Sequence, residues 1–134
     1  MFNDYDKWNE VKKQISQNKR RLGIKPREIF WLKIGQNIGD EEYGKGKVFS
    51  RPVLIIRQLT SDLFIGVPLT TTIKDNDYFY PFEFDTKKGK SKNSAMLLQI
   101  KSFSKRRITS KIGMISKEDF KEIQNRLIEL IVPT

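Results

Sequence analysis

Residues 52–71 read PVLIIRQLTSDLFIGVPLTT. Two apolar, β-branched runs, PVLIIRQL and LFIGVPLTT, flank a TSD turn, so the stretch predicts two consecutive buried strands. Pro52 stands at the start of the first, where a missing N–H does least harm. Upstream, REIFWLKI (27–34) is a further strand of β-branched and aromatic residues. It is separated from Pro52 by GQNIGDEEYGKGKVFS (35–50), a long loop carrying Gly35, Gly39, Gly44 and Gly46. Downstream, DYFYPFEF (77–84) alternates aromatic with other residues, and its Pro81 predicts an edge or bulge. KKGKSKN (87–93) reads as a charged hairpin tip, and SAMLLQI (94–100) as a fifth, buried strand. Short strands joined by turn residues predict a small β-barrel rather than alternating β/α units.

Helical periodicity flanks this core. SFSKRRITSKIG (102–113) reads as one helical turn followed by a brief strand around Lys111 to Ile115. Ser116 and Asp119 have the spacing of a capping box, and Phe120, Ile123, Leu127 and Leu130 or Ile131 form the apolar face of a terminal helix. At the other end, Phe2, Tyr5, Trp8, Val11 and Ile15 make one stripe of an amphipathic helix, followed by the basic linker QNKRRLGIKP (17–26). The expected organisation is an N-terminal helical arm and linker over residues 1–26 and a barrel domain over 27–134. The fold class is mainly β with α.

Composition narrows the chemistry. The 134 residues contain neither cysteine nor histidine, so thiolate nucleophiles, imidazole acid–base pairs and the common zinc motifs are excluded. Catalysis would have to run on carboxylates, hydroxyls, Arg, Lys or Tyr, and no metal or cofactor is expected. With 26 Lys and Arg against 16 Asp and Glu, the net charge is +10, which suits a polyanionic partner. The segregation is sharp: no acidic residue lies between Asp85 and Glu118, while Lys87, Lys88, Lys90, Lys92, Lys101, Lys105, Arg106, Arg107 and Lys111 all do. No apolar run reaches the roughly 18 residues of a membrane span, and the N-terminus lacks the layout of a signal peptide. A cytoplasmic protein without membrane contact is expected.

Arg51 follows the glycine-rich loop and precedes a buried strand, so its guanidinium would sit at the mouth of the barrel. A fixed cationic fork there can hold a phosphate in two-point contact; a structural pairing with a loop carboxylate is the other reading. Thr70 ends the third strand, where its hydroxyl could bond a phosphate oxygen or simply finish the strand. Glu41 and Glu42 are the loop carboxylates best placed to reach Arg51, as a general base or as solvated acids. Tyr43, Phe49, Tyr78, Tyr80 and Phe103 stand among cations, the pattern by which single-stranded RNA is gripped.

REIFWLKI, GQNIGDEEYGKG, SRPVLII, GVPLTTT, SAMLLQIKSFSKRRI and KIG, in this order, resemble the MazF/PemK family of toxin endoribonucleases. The resemblance runs from about Arg27 to Ile131. It implies an SH3-like barrel with a C-terminal helix, working as a homodimer. It also implies metal-independent cleavage of single-stranded RNA by 2′-hydroxyl attack, leaving a 2′,3′-cyclic phosphate and a 5′-hydroxyl. The implied catalytic residues are Arg51, Thr70 and Glu41; Gln99, Lys101 and Ser102 match the RNA-facing segment, with Lys45 and Lys47 of the enlarged loop beside them as RNA contacts. A cognate antitoxin is the implied partner, and DNA would be met only through it. Leu98 stands where many members carry a carboxylate, so the base would be Glu41, a tyrosine or an activated water. Two other functions fit the same barrel: a non-catalytic RNA binder, and a gyrase-directed toxin, whose terminal Trp is missing from IELIVPT.

Overall fold

The computed structural model describes residues 23–34 and 49–133. The expected N-terminal helix and the loop carrying Glu41, Lys45 and Lys47 lie outside the described residues. Seven antiparallel strands follow one another: β1 (Glu28–Ile34), β2 (Phe49–Gln58), β3 (Leu63–Thr70), β4 (Phe79–Thr86), β5 (Gly89–Met96), β6 (Lys101–Ser104) and β7 (Ile108–Met114). A single α-helix, α1 (Lys117–Ile131), closes the described chain. Strand pairing runs β2-β1-β7-β4-β5-β3-β6, and β2 also pairs with β3. The pairings therefore form a ring, with β6 laid along one half of β3. No described helix is long and apolar enough to cross a membrane.

The β1 to β4 assignments follow the sequence reading closely, but three stretches differ. Residues 89–93 belong to β5 and only the two residues after Thr86 make the turn. Their alternation was invisible because both sides are polar: Lys90 and Lys92 point one way, Ser91 and Asn93 the other. The fifth strand ends at Met96, where a 3₁₀ turn, Leu97–Gln99, takes over. β6, four residues with only Phe103 buried, is too short to leave a period.

Two apolar clusters occupy the two sides of the strands. On the helix side, Ile29, Leu54, Val67, Leu69, Phe82, Phe84, Ala95 and Leu97 meet Phe120, Ile123 and Leu127 of α1. On the far side, Phe30, Leu32, Val53, Ile55, Phe64, Phe103 and Ile108 pack with Ile24. Side chains at alternate positions of one strand thus serve different cores, which is why these strands read as continuous apolar runs. Ser116 caps α1, its hydroxyl accepting from Asp119 N–H at 3.1 Å and donating to Asp119 Oδ2 at 3.1 Å. Leu130 and Ile131, one or other of which was expected on the buried face, are both exposed, and the buried face of α1 ends at Leu127.

β7 and β4 are paired as strands at one position, Asp85 with Met114, and Gly113 makes that close approach possible. A Cβ at position 113 would stand 2.5 Å from the Asp85 carbonyl oxygen and 2.9 Å from the Phe84 ring. Gly113→Ala should prise this seam open at a cost of about 1–3 kcal/mol, read as a lowered denaturation midpoint. An unchanged midpoint would mean that the seam bears no load.

Candidate phosphate-binding face

The far side turns polar at one end, and that end is built by register. Val53 faces Pro68 in the last β2–β3 pair, and continuing that register two residues past its end would bring Arg51 opposite Thr70. Thr70 in turn faces Ser94 of β5, and Ser94 faces Pro81 of β4. Directly opposed residues project to the same side of a sheet, so Arg51, Thr70 and Ser94 form one row across three strands. Lys101 joins this side because it faces Gly66, which shares the far side of β3 with Thr70. Ser102, opposite Ile65, projects to the other side.

Arg51 is exposed and lies inside β2 rather than ahead of it. Its Nη1 donates to the Leu69 carbonyl at 3.4 Å and sits 4.0 Å from Met96 Sδ. No carboxylate among the described residues pairs with it; the loop carboxylates with which a structural pairing was weighed lie outside the described residues. An exposed guanidinium with one long hydrogen bond retains most of its donors for a ligand. Thr70 is half-buried, and its Oγ1 accepts from Thr72 N–H at 3.2 Å. That bond leaves the hydroxyl proton pointing elsewhere, available to a phosphate oxygen.

The remaining candidates are distributed around this row. Gln99 is exposed in the 3₁₀ turn that starts one residue after Met96, and Leu98 beside it is 63% exposed. Lys101 Nζ lies 5.0 Å above the Phe103 ring. Of the aromatic residues singled out, Phe103 is core, Phe49 and Tyr78 are exposed, and Tyr43 lies outside the described residues. Tyr80 belongs to the helix side. Its hydroxyl donates to Asp119 Oδ1, and burial, then that bond and the Asp119 charge, push its pKa up to about 12. A tyrosine so displaced is a poor proton acceptor, and it stands on the wrong side of the sheet.

Sequence reasoning missed Met96, which touches Arg51, and Phe79, which faces Met96 with Lys74 Nζ 5.3 Å from its ring. Met96 fell in a run read as a buried strand and is buried, Phe79 in an alternating one, and only strand register brings the two to this side. Ser94, fully buried in the same row, carries no sequence signal at all.

Two outcomes test these assignments. Arg51→Ala should leave the thermal midpoint within the small range typical of exposed substitutions, about 0.5 kcal/mol, by calorimetry; a large drop would make Arg51 a structural residue. For Tyr80, the folded state holds its proton to about pH 12 whereas an unfolded tyrosine releases it near pH 10. Its contribution is therefore full below pH 10 and declines as the pH rises towards 12. Tyr80→Phe should flatten that alkaline decline in denaturant titrations.

Comparison with known proteins agrees with this architecture. A solved structure of MazF from Deinococcus radiodurans superposes with a TM-score of 0.62 at 15% identity, covering 81% of this chain and 96% of that one. An endoribonuclease in complex with its cognate antitoxin, from a mycobacterial species, gives 0.61 at 16% identity, covering 84% and 99%. Mycobacterium tuberculosis toxin MazF-mt6 gives 0.57 at 15%, covering 78% and 96%. At these identities the likeness is one of fold. No curated protein matches the sequence. The profile of the PemK-like, MazF-like toxins of type II toxin–antitoxin systems matches residues 25–131, ending with the last residue of α1, and the chain belongs to that family.

Proposed function

We propose that this chain is a metal-independent endoribonuclease toxin that cuts single-stranded RNA. The observation that carries the reading is an exposed Arg51, unneutralised by any described carboxylate, set beside Thr70 at the end of β3. A guanidinium fork and a hydroxyl on one row suit the two non-bridging oxygens of a phosphodiester. They would grip the phosphorane-like transition state, where charge on those oxygens is greatest. The ribose 2′-oxygen attacks the adjacent phosphorus and loses its proton to a base; the 5′-oxygen departs and takes up a proton. The products are a 2′,3′-cyclic phosphate and a 5′-hydroxyl.

Glu41 is the base this reading prefers, since Tyr80 is engaged elsewhere and the described carboxylates on the far side include Glu83, which is held 3.8 Å from Lys92. Gln99 and Lys101, with Lys45 and Lys47, would extend the RNA contact; Ser102, on the other side of the sheet, is left out of it. Residues 27–134 are proposed as an SH3-like barrel domain preceded by an arm over 1–26, acting in the cytoplasm as a homodimer. The family assignment supports a cognate antitoxin as regulator, as does the likeness to an endoribonuclease solved with its own. An antitoxin of that kind would mask the same cationic row, and any DNA contact would be the antitoxin's.

Purified protein incubated with single-stranded RNA in EDTA should generate fragments ending in cyclic phosphate. Arg51→Ala should slow that cleavage about 10²–10³-fold, the usual effect of removing one transition-state donor. RNA that is bound and left intact would instead make the chain a non-catalytic RNA binder.

A further inference from the structure

Ser94 presents an anomaly that the proposed clamp does not use. It is fully buried, and its Oγ is the buried side-chain oxygen left without any hydrogen-bond partner among the described residues. Buried hydroxyls are nearly always paired, because an unpaired one forfeits its hydration with nothing in return. Strand neighbours do not relieve it. Pro81, opposite on β4, has no N–H to offer, and Met96, two residues along the same side, is occupied against Arg51. The one polar side chain directly opposite is Thr70. Opposed Cβ atoms lie about 4.5–5.5 Å apart, a spacing that one χ1 rotation of a serine spans with a hydrogen bond.

We propose that Ser94 is a positioning residue for Thr70. When a phosphate takes the Thr70 proton, Ser94 Oγ–H donates to Thr70 Oγ1. Thr70 already accepts from Thr72 N–H, so the second donor fills its remaining lone pair. That leaves Thr70 one available role, donation to the ligand. Donors stacked in this way polarise one another, strengthening the last bond of the chain. The inference rests on the ribonuclease reading and specifies how one of its two clamp residues is aimed.

Ser94→Ala, Thr70→Val and the double variant, assayed for RNA cleavage in EDTA together with thermal midpoints, test it. Ser94→Ala should lower kcat about three- to tenfold, the range of a single hydrogen bond, with KM little changed and a thermal midpoint equal to or above wild type. Losing an unpaired buried hydroxyl does not cost stability, whereas losing a structural one does. In the Thr70→Val background the Ser94 substitution should have no further effect on kcat. A lowered midpoint, or losses that multiply in the double variant, would overturn the role of Ser94 while leaving the nuclease reading intact. Absence of cleavage by wild-type protein would remove that reading and this role with it.

Discussion

β3 has to satisfy three neighbours at once, and the rest of the molecule is arranged around that demand. One edge runs along β2; the other is shared, with β6 taking Leu63 to Gly66 and β5 taking Leu69 and Thr70. Sharing requires that β5 stop and that the chain shift sideways before β6 begins, which the 3₁₀ turn at Leu97–Gln99 accomplishes. It also requires a flat, narrow middle. Gly66 supplies it: a Cβ there would stand 2.6 Å from Val53 Cγ1 and press on the rings of Phe64 and Phe103. The β2 pairing ends at Pro68, and Thr70, the last residue of β3, is paired with Ser94 of β5.

Cationic character is distributed unevenly among the basic residues. Lys111 is spent on Glu28, a nearly buried carboxylate reached at 2.6 Å that also accepts from Lys25 N–H at 2.6 Å. Arg126 lies over the Tyr80 ring and beside Glu122. Arg107 reaches the Lys33 carbonyl at 3.1 Å, and Arg27 Nε the Ile115 carbonyl at 3.2 Å. These cations hold elements together. Among the described residues Arg51 meets only the Leu69 carbonyl and the Met96 sulfur, neither of which neutralises its fixed charge. A surplus of positive charge draws a polyanion to the whole surface, whereas cations held in such internal contacts serve the fold first.

Much of this was legible in the chain. The runs around Leu54, Val67 and Phe82 announced strands because β-branched and aromatic residues dominate them, and Ser116 announced the helix because its spacing to Asp119 is that of a cap. Arg51 was legible from its place between a glycine-rich loop and an apolar strand. Other features had no one-dimensional trace. The far-side core and the helix-side core draw on alternate residues of the same strands, so the sequence gives no hint of which residue faces which. Ile131 looks like a core residue and is 70% exposed. Ser94 looks like any polar residue near a strand and is buried. Its significance depends on what stands opposite it, and pairing partners 24 positions away (94 less 70) leave no mark on local composition.

The ring has a consequence for the order of events during synthesis. β1 cannot complete its pairing until β7 arrives, and Glu28 meets Met114 only after most of the chain has been made. Contacts so distant along the chain are slow to form, since loop-closure entropy must be met before any pairing rewards it. A ribosome adding about 5–20 residues per second therefore carries Arg51 and Thr70 for several seconds before the scaffold that aligns them can close. The scaffold around this row is complete only after β7, the last described strand, has left the machinery that made it.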